Sequence, residues 1–346
     1  MKPVALAPNL VDHFYRGGDR IGRLRRITPT SDHQPEEWLG STVSRADDPV
    51  AGLARTADGE LLRDLVSAAP EAWIGPGFAS ARNAGDVGIL FKLLDARQRL
   101  PIHVHPDRDF AHRHLDCPYG KTEAWFILEA EPGSAVHLGW REGVDRRELD
   151  ARRDAQDGEW MLAHMNRIEV TPGMGILVPA GTVHAIDGGI FLTEVQEPTD
   201  FSIVLEWSVT TSGREDSHLG LGFDAVMPAV STEPLSADDL SALIARTDLT
   251  AVDTPLAGVL PPAADPFFRL LHAAPGRERS AEIPAGFAVV LVLEGDGRAV
   301  GQDGTLPLSS GAVLAVPHGF GPWRIEGDAR VLIGAPGAGW PATLAG

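Results

Sequence analysis

The chain has 346 residues, of which 43% are hydrophobic and 23% are charged. This length suits two packed domains or one domain with large insertions, and this composition excludes disordered and fibrous proteins. The formal net charge of −18 argues against nucleic acid or an anionic membrane as a partner, because both bind basic surfaces.

Strand signals predominate along the chain, and two segments with helical periodicity interrupt them. The first segment runs from Asp58, its predicted N-cap, to Pro70, with leucines and a valine on one face. The second begins at Ser236, where Asp239 forms a capping box. We therefore expect an all-β fold with helical insertions. Short apolar runs between Gly, Pro and Asp residues predict strands at 87–94, 124–128, 175–178 and 288–293.

A weak internal repeat indicates two copies of one fold. Residues 171–184 align with residues 309–322, and the alignment pairs Gly173 with Gly311. Self-similarity of this kind is typical of a duplicated domain. The strand pattern and the repeat together predict two jelly-roll β-barrels.

The two predicted barrels differ in their chemistry. The first, at 1–255, contains a helical insertion at about 35–85 and the catalytic pocket. The second, at 256–346, begins with a proline-rich connector at 256–265. Because Pro322 stands where the first copy has His184, the second barrel is expected to be a degenerate copy that binds no metal.

Four side chains predict a metal site in the first barrel. His103 and His105 alternate with apolar residues, so on a strand both imidazoles point to one face. The same alternation directs Glu123 to one face of the next strand, and His184 follows a Pro/Gly turn. Three neutral imidazoles and one carboxylate are suitable ligands for one divalent ion, Zn, Mn, Fe, Co or Ni, and they leave a coordination position for substrate.

Several motifs, taken in chain order, carry a family pattern. They resemble the type I mannose-6-phosphate isomerases of the cupin superfamily, and the resemblance spans most of the chain. It implies two cupin barrels and a zinc-dependent aldose–ketose isomerase that interconverts mannose 6-phosphate and fructose 6-phosphate. The motifs lie at 90–96, 103–107, 120–128, 178–186 and 194–200.

The resemblance also implies a ligand set. His105, Glu123 and His184 match metal ligands of the family. His103 stands where the family has a glutamine ligand, which makes the donor set more basic and alters the metal preference.

Catalytic roles follow from the same resemblance. Lys121 matches an active-site lysine, and Glu194 matches a glutamate of the active-site wall. Isomerisation moves a proton between C1 and C2 of the sugar, so either residue is a candidate proton shuttle. Gln196 also keeps the family pattern and is expected to orient sugar hydroxyls.

One departure from the family concerns the phosphate group. A few residues after Asp200 the family has an arginine tied to catalysis and phosphate recognition, whereas this chain has the apolar residues Ile203 and Val204. Either another cation replaces that arginine, or the substrate is not mannose 6-phosphate. The candidate substrate-binding cations are Lys92, Arg108, Arg113 and Arg214.

Three other functions fit the same residues. The first is isomerisation of a non-phosphorylated or modified sugar, and the second is a sugar-binding cupin without turnover. The third is a metal-dependent dioxygenase, since three histidines and one glutamate can also hold iron or nickel. For an isomerase or a binder, the expected partner is a small-molecule sugar or sugar phosphate; the oligomeric state is left open.

The sequence also gives an expectation for location. The single cysteine excludes an intrachain disulfide framework and is consistent with a reducing compartment. The first residues lack the apolar core of a signal peptide, and no apolar run reaches the length of a membrane span. We therefore expect a cytoplasmic protein.

Overall fold

The computed structural model describes residues 1–45, 48–77, 82–251, 253–276 and 278–344. In chain order its strands are β1 Val4–Ala5, β2 Leu10–Val11, β3 Glu36–Leu39, β4 Leu90–Ala96, β5 His103–Val104, β6 Glu123–Ala130, β7 Ala135–Trp140, β8 Met165–Glu169, β9 Met174–Val178, β10 His184–Ile186, β11 Ile190–Gln196, β12 Ile203–Val204, β13 Ile244–Arg246, β14 Thr254–Gly258, β15 Phe268–Ala274, β16 Ala288–Glu294, β17 Asp296–Gly301, β18 Gly304–Ser309, β19 Val313–Val316, β20 Trp323–Gly327 and β21 Arg330–Pro336. The α-helices are α1 Arg20–Arg25, α2 Leu62–Ala68, α3 Pro70–Ile74, α4 Arg108–His114, α5 Arg146–Asp154, α6 Gly158–His164, α7 Phe223–Val226 and α8 Ala237–Ala242. None of these described helices has the length and apolarity that a membrane span needs.

The described strands form four sheets, which we group into two pairs. The first sheet pair consists of a seven-stranded sheet, in the order β13-β9-β6-β11-β4-β3-β2, and a five-stranded sheet, in the order β12-β5-β10-β7-β8. The second sheet pair consists of a six-stranded sheet, in the order β1-β19-β16-β21-β15-β14, and a three-stranded sheet, in the order β18-β17-β20. The fold is thus mostly β with helices added, as predicted, and is consistent with a cupin fold. All four sheets are open within the described residues, so two closed barrels are not confirmed.

The two sheet pairs share a hydrophobic core between the six- and seven-stranded sheets. Val289 and Leu291 of β16 belong to this shared core, together with Phe91 of β4. The alternate residues Val290 and Val292 belong to a separate core inside the second sheet pair. β16 is therefore buried on both faces, which explains why its sequence is a continuous apolar run.

The predicted division at residues 255 and 256 falls within a strand. β14 spans this position and pairs with β15, while β1, at the start of the chain, pairs with β19 of the six-stranded sheet. The first residues of the chain thus belong to the second sheet pair by strand pairing. The boundary between the two domains stays a prediction.

The internal repeat appears as two equivalent turns. Gly173 and Gly311 have φ angles of 86° and 81°. Their amides donate equivalent hydrogen bonds, from Gly173 to the carbonyl of Ile127 at 2.8 Å and from Gly311 to that of Val292 at 2.9 Å. A Cβ atom would lie 2.0 Å and 2.2 Å from a backbone oxygen at the two positions, so both require glycine.

The two predicted helices are present, but the first begins later than expected. α2 starts at Leu62 with Leu61 as its N-cap, so the prediction of Asp58 as the cap is wrong. The reason is a backbone turn just before the helix, in which the amide of Thr56 donates to the carbonyl of Glu60. The capping box of α8 is confirmed, because the Ser236 hydroxyl accepts from the amide of Asp239 at 3.1 Å and the Asp239 carboxylate accepts from the amide of Ser236 at 3.0 Å.

Candidate metal centre

Strand pairing brings the four predicted ligands to one point inside the first sheet pair. β5 pairs with β10 in a register that sets His103 opposite His184. His105 follows β5 directly, and Glu123 is the first residue of β6 in the other sheet. The side chains of His105, Glu123 and His184 are each only 1% exposed. The site therefore lies in the protein interior, where the inner faces of the two sheets meet.

The atoms that bind metals in proteins converge at this point. The Nε2 atom of His184 lies 2.9 Å from Nε2 of His103 and 3.4 Å from Oε1 of Glu123. The Nε2 atom of His105 lies 3.0 Å from Oε2 of Glu123. The ligand atoms of the three histidines all lie within 4.8 Å of one another.

Backbone carbonyls fix the tautomer of each histidine. In every case the Nδ1 atom donates to a carbonyl oxygen, which leaves the Nε2 lone pair directed at the other imidazoles. Two such lone pairs 2.9 Å apart repel each other unless a cation lies between them, so the three imidazoles fit a metal ion. The pairs are His103 with Pro101 at 2.8 Å, His105 with Phe201 at 2.7 Å and His184 with Thr182 at 2.8 Å.

The pKa shifts favour the protonation states that a metal needs. Burial lowers the pKa of His105 to about 3, and burial likewise lowers the pKa values of His103 and His184, so all three imidazoles are neutral near pH 7. Burial raises the pKa of Glu123, but Lys121 and His105 outweigh it and hold that pKa well below its usual range. Three neutral imidazoles and one carboxylate are a suitable donor set for a divalent ion.

Lys121 lies directly beside the ligand set. Its ammonium nitrogen is 2.8 Å from Nε2 of His105 and 3.0 Å from Oε2 of Glu123, and its side chain is buried. Trp125, two residues along the same face of β6, donates from its indole to Oε1 of Glu123 at 3.1 Å. These contacts fix the orientation of the Glu123 carboxylate.

A second buried charged cluster lies in the same interior. Lys92 of β4 and Glu194 of β11 are directly opposite each other in the strand register. The ammonium nitrogen of Lys92 is 3.1 Å from Oε1 of Glu194 and 3.4 Å from Oε2 of Glu36. One cation thus bridges two buried carboxylates, and Glu194 faces the interior, as its role as a candidate proton shuttle requires.

Glu36 was not predicted from the sequence, and it is the most connected carboxylate of this cluster. It accepts hydrogen bonds from the Tyr15 hydroxyl at 2.5 Å and from the Trp38 indole at 2.8 Å. Nε2 of His13 lies 3.2 Å away. The sequence contains one signal, a Pro-Glu-Glu-Trp-Leu run in which acidic residues begin a short strand. The partners of Glu36 come from other parts of the chain, so this signal did not show that the side chain is buried.

The pKa values of the two carboxylates in the second cluster shift in opposite directions. Burial raises the pKa of Glu36, but His13 and Lys92 outweigh it and hold the pKa well below its usual range. Burial and the nearby Glu123 raise the pKa of Glu194. Burial lowers the pKa of Lys92, but Glu194 and Glu36 outweigh it and raise the pKa. Glu194 is therefore the carboxylate with the higher affinity for a proton.

Both clusters line one cavity of about 630 Å³, which lies within the size range of small-molecule pockets. His103, Lys121 and Glu123 contribute from the metal centre, and Lys92 and Glu194 contribute from the second cluster. The segment at 211–220 forms part of the rim. A cavity of this volume is large enough for a monosaccharide next to the metal centre.

Three of the predicted substrate-binding residues lie away from this cavity. Arg108 bonds to Glu197 at 2.6 Å, with its guanidinium over the ring of Phe267. Arg214 is 3.5 Å from Asp154 and lies over the ring of Phe223. Arg113, on the exposed side of α4, donates to the backbone of its own helix. Of the candidate cations, only Lys92 lines the cavity among the described residues.

Gln196 is buried at the end of β11, next to the cavity wall. Its amide nitrogen donates to the backbone carbonyls of Glu197 and Thr199. These bonds hold the short loop that leads to Asp200, a residue that does line the cavity. Gln196 thus contacts the loop, and its role in orienting sugar hydroxyls stays a prediction.

The fold and the site together define a class of protein. Two pairs of antiparallel sheets, with three histidines and one glutamate converging inside the first pair, are consistent with a cupin fold that has a candidate metal site. No protein-family profile matches the chain.

Comparison with known proteins finds similarity to mannose-6-phosphate isomerases. The chain is 25% identical to the mannose-6-phosphate isomerase of Bacillus subtilis over 250 residues, which cover 71% of this chain and 74% of that protein. It is 27% identical to the mannose-6-phosphate isomerase of Streptococcus mutans over 254 residues, which cover 70% and 72% of the two chains. The chain is thus similar to mannose-6-phosphate isomerases over most of its length, and the low identity fits a divergent relative of those enzymes. Both relatives are mannose-6-phosphate isomerases, which supports the predicted enzyme class, an intramolecular oxidoreductase that isomerises a sugar.

Solved structures confirm the fold. The crystal structure of mannose 6-phosphate isomerase from Bacillus subtilis matches with a TM-score of 0.73 and 22% identity, over 96% of this chain and 99% of that chain. A phosphomannose isomerase from Salmonella typhimurium matches with a TM-score of 0.72 and 17% identity, over 97% and 100% of the two chains. The similarity thus extends through the second sheet pair as well as the first.

Proposed function

We propose that the chain is a metal-dependent aldose–ketose isomerase that interconverts mannose 6-phosphate and fructose 6-phosphate or a related pair of sugars. The observation that carries this proposal is the meeting of three neutral imidazoles and one carboxylate in the wall of a sugar-sized cavity. His103, His105, Glu123 and His184 would hold one divalent ion, and zinc suits this donor set. When bound, the ion supplies a Lewis acid that stabilises negative charge developing on the sugar oxygens.

The residues of the chain provide the proton transfer. Isomerisation requires a base that removes a proton from C2 and returns it to C1. Glu194 faces the cavity, and its raised pKa makes it a stronger base than an ordinary carboxylate. Lys92 donates to the Glu194 carboxylate from 3.1 Å and holds it in place. Lys121, at the edge of the ligand set, is the alternative proton shuttle or donates a hydrogen bond to a sugar oxygen.

The fold supports the same proposal. We infer that the two sheet pairs are two cupin lobes, with residues 1–255 carrying the metal and residues 256–346 forming a degenerate lobe. The matching turns at Gly173 and Gly311 support this duplication. The shared core between the six- and seven-stranded sheets joins the lobes.

Solvent deuterium exchange tests the proposal. The metal-loaded protein is incubated in deuterated water with phosphorylated and free hexoses and pentoses, and the products are examined by NMR. A true substrate gains deuterium at C1 or C2, because the transferred proton exchanges with solvent at the base. A complete panel of sugars without exchange would exclude isomerase activity.

The Glu194→Gln variant tests the assignment of the base. We expect it to keep its metal and to lose at least about 100-fold in exchange rate, since a positioned base contributes this much. The matched control is Glu169→Gln, an exposed glutamate on β8, which should exchange at the wild-type rate. An active Glu194→Gln variant would move the role of base to Lys121.

A further inference from the structure

We propose that the cavity binds an uncharged sugar in preference to a sugar phosphate. This inference rests on the proposed isomerase function and specifies its substrate class. The observation behind it is the excess of carboxylates over cations among the residues that line the cavity, together with the partners that those cations already have.

The charges around the cavity are unbalanced. Among the residues that the structure describes, three cationic side chains line it, against six carboxylates, which leaves three more negative groups than positive ones. A divalent ion would offset two of these three, so the lining keeps an excess of negative charge before any substrate enters. The cations are Lys92, Lys121 and Arg45, and the carboxylates are Glu36, Glu123, Glu194, Asp200, Glu215 and Asp216.

The cations that line the cavity are already engaged by the protein. Lys92 lies between Glu194 and Glu36, at 3.1 Å and 3.4 Å. Lys121 lies 3.0 Å from Glu123. Arg45 donates to the backbone carbonyl of residue 12. A phosphate would have to compete with these acceptors for each cation, and it would bring its own negative charge close to the carboxylates.

Two of these six carboxylates lie at the rim, where a sugar hydroxyl could bind to them and a phosphate group could not. Glu215 and Asp216 are both exposed on the segment at 211–220, beside the cavity. An ionised carboxylate only accepts hydrogen bonds, and a sugar hydroxyl can donate one. A phosphate dianion has no proton to donate, so it meets only repulsion at the rim.

A smaller neighbouring cavity is the strongest alternative binding site for a phosphate group. It has a volume of about 300 Å³, shares Arg45 and Asp200 with the sugar-sized cavity, and also contains Arg63 and Arg82. An anionic substituent could bind there only if it reached past Asp200. This possibility is one of the outcomes that the experiment separates.

The test compares matched sugar pairs. Deuterium exchange is measured on the metal-loaded protein with D-mannose, D-glucose and D-arabinose and with the corresponding phosphates. Binding of the same compounds is measured by tryptophan fluorescence, both with and without added metal. We expect the exchange rate and the binding affinity of a free sugar to be at least about tenfold higher than those of its phosphate. Added salt should reduce this preference, because it screens the carboxylates.

A rim variant shows whether charge causes the preference. Glu215→Gln/Asp216→Asn should reduce the ratio of free-sugar affinity to sugar-phosphate affinity at least about threefold, since two negative charges are removed. The matched control is Glu233→Gln/Asp265→Asn, which removes the same charge from exposed positions outside the cavity. This control should leave the ratio of the two affinities unchanged.

The outcomes are distinct. Tighter binding and faster exchange of a phosphorylated sugar would overturn the inference but would support the isomerase function. If Arg63→Gln/Arg82→Gln then removed that preference, the phosphate site would lie in the smaller cavity. A lack of exchange with every sugar would overturn the isomerase function, and the binding comparison would still decide whether the cavity prefers an uncharged ligand.

Discussion

The two sheet pairs use the same antiparallel architecture for different interiors. Inside the first pair, charged side chains such as Glu123, Lys92 and Glu194 are buried against one another. Inside the second pair, the core consists of apolar residues such as Trp323 and Ile333. The comparison shows that the same strand pairing can enclose either a charged or an apolar interior, depending on which residues face inward.

The difference has a physical basis. A buried charge is costly unless a partner of opposite sign lies close to it, so each ionic group of the first pair depends on its neighbours. An apolar core has no such dependence, because the hydrophobic effect is not directional. The hydrophobic core shared by the six- and seven-stranded sheets packs the two pairs against each other.

The largest expected effect is the loss of a metal ligand in the first pair. Glu123→Gln removes the anionic donor between His105 and His184. We expect metal content to fall from about one ion per chain to less than a tenth of that, and isomerisation to fall at least about 100-fold. Elemental analysis and deuterium exchange measure the two effects. Glu123 would not be a ligand if the variant kept a full equivalent of metal.

Two nearby histidines are suitable controls for that experiment. His112 and His114 lie on the exposed side of α4, close in sequence to the predicted ligands. The His112→Gln/His114→Gln variant should keep its metal and its activity. Loss of metal in this variant would place the ion away from the converging imidazoles.

The next effect concerns the buried ionic cluster. Lys92→Met leaves Glu36 and Glu194 in the interior without the cation that bridges them. We expect the free energy of unfolding to fall by about 3–5 kcal/mol, because removal of one partner leaves buried charges uncompensated. Urea unfolding followed by fluorescence measures the loss.

A compensated variant sharpens this prediction. In Glu36→Gln/Lys92→Met/Glu194→Gln these three side chains carry no charge, so much of the lost stability should return. The exchange rate should stay low, because Glu194 is replaced. If the triple variant were less stable than Lys92→Met, the loss would come from packing around Lys92 rather than from unpaired charge.

The smallest effect is a pH dependence in the second pair. His272 of β15 is buried, and neither ring nitrogen has a hydrogen-bond partner in the described residues. Burial and the charge of Arg330 lower its pKa from 6.5 to about 4. The unfolded state therefore binds the proton more readily, so this histidine's contribution to stability is complete above pH 6.5 and is lost as pH falls towards 4.

His272→Leu tests this pH dependence. The variant should gain stability relative to the wild type as the pH falls through that window, because leucine takes up no proton. Thermal unfolding of both proteins across the window measures the difference. A difference in stability that does not change with pH would show that the pKa of His272 is the same in the folded and unfolded states.

Local patterns predicted much of the candidate site. The alternation around His103 and His105 fixed which face the imidazoles share, because side chains on a strand point alternately to its two sides. Gln196 and Arg108 show the limit of such patterns. Gln196 follows the same alternation, yet its amide bonds to the loop beside it, and Arg108 is bound by Glu197, which is far away in the sequence.

The sequence by itself determined the strand phase, the turn glycines of the repeat and the four side chains able to bind metal. These features depend on neighbouring residues and on the period of a strand, which the sequence shows directly. Only the tertiary structure decided that Glu36 joins Lys92 and that Arg108 and Arg214 lie away from the cavity. Those contacts join residues that are distant in the chain, and they depend on which strands pair and in which register.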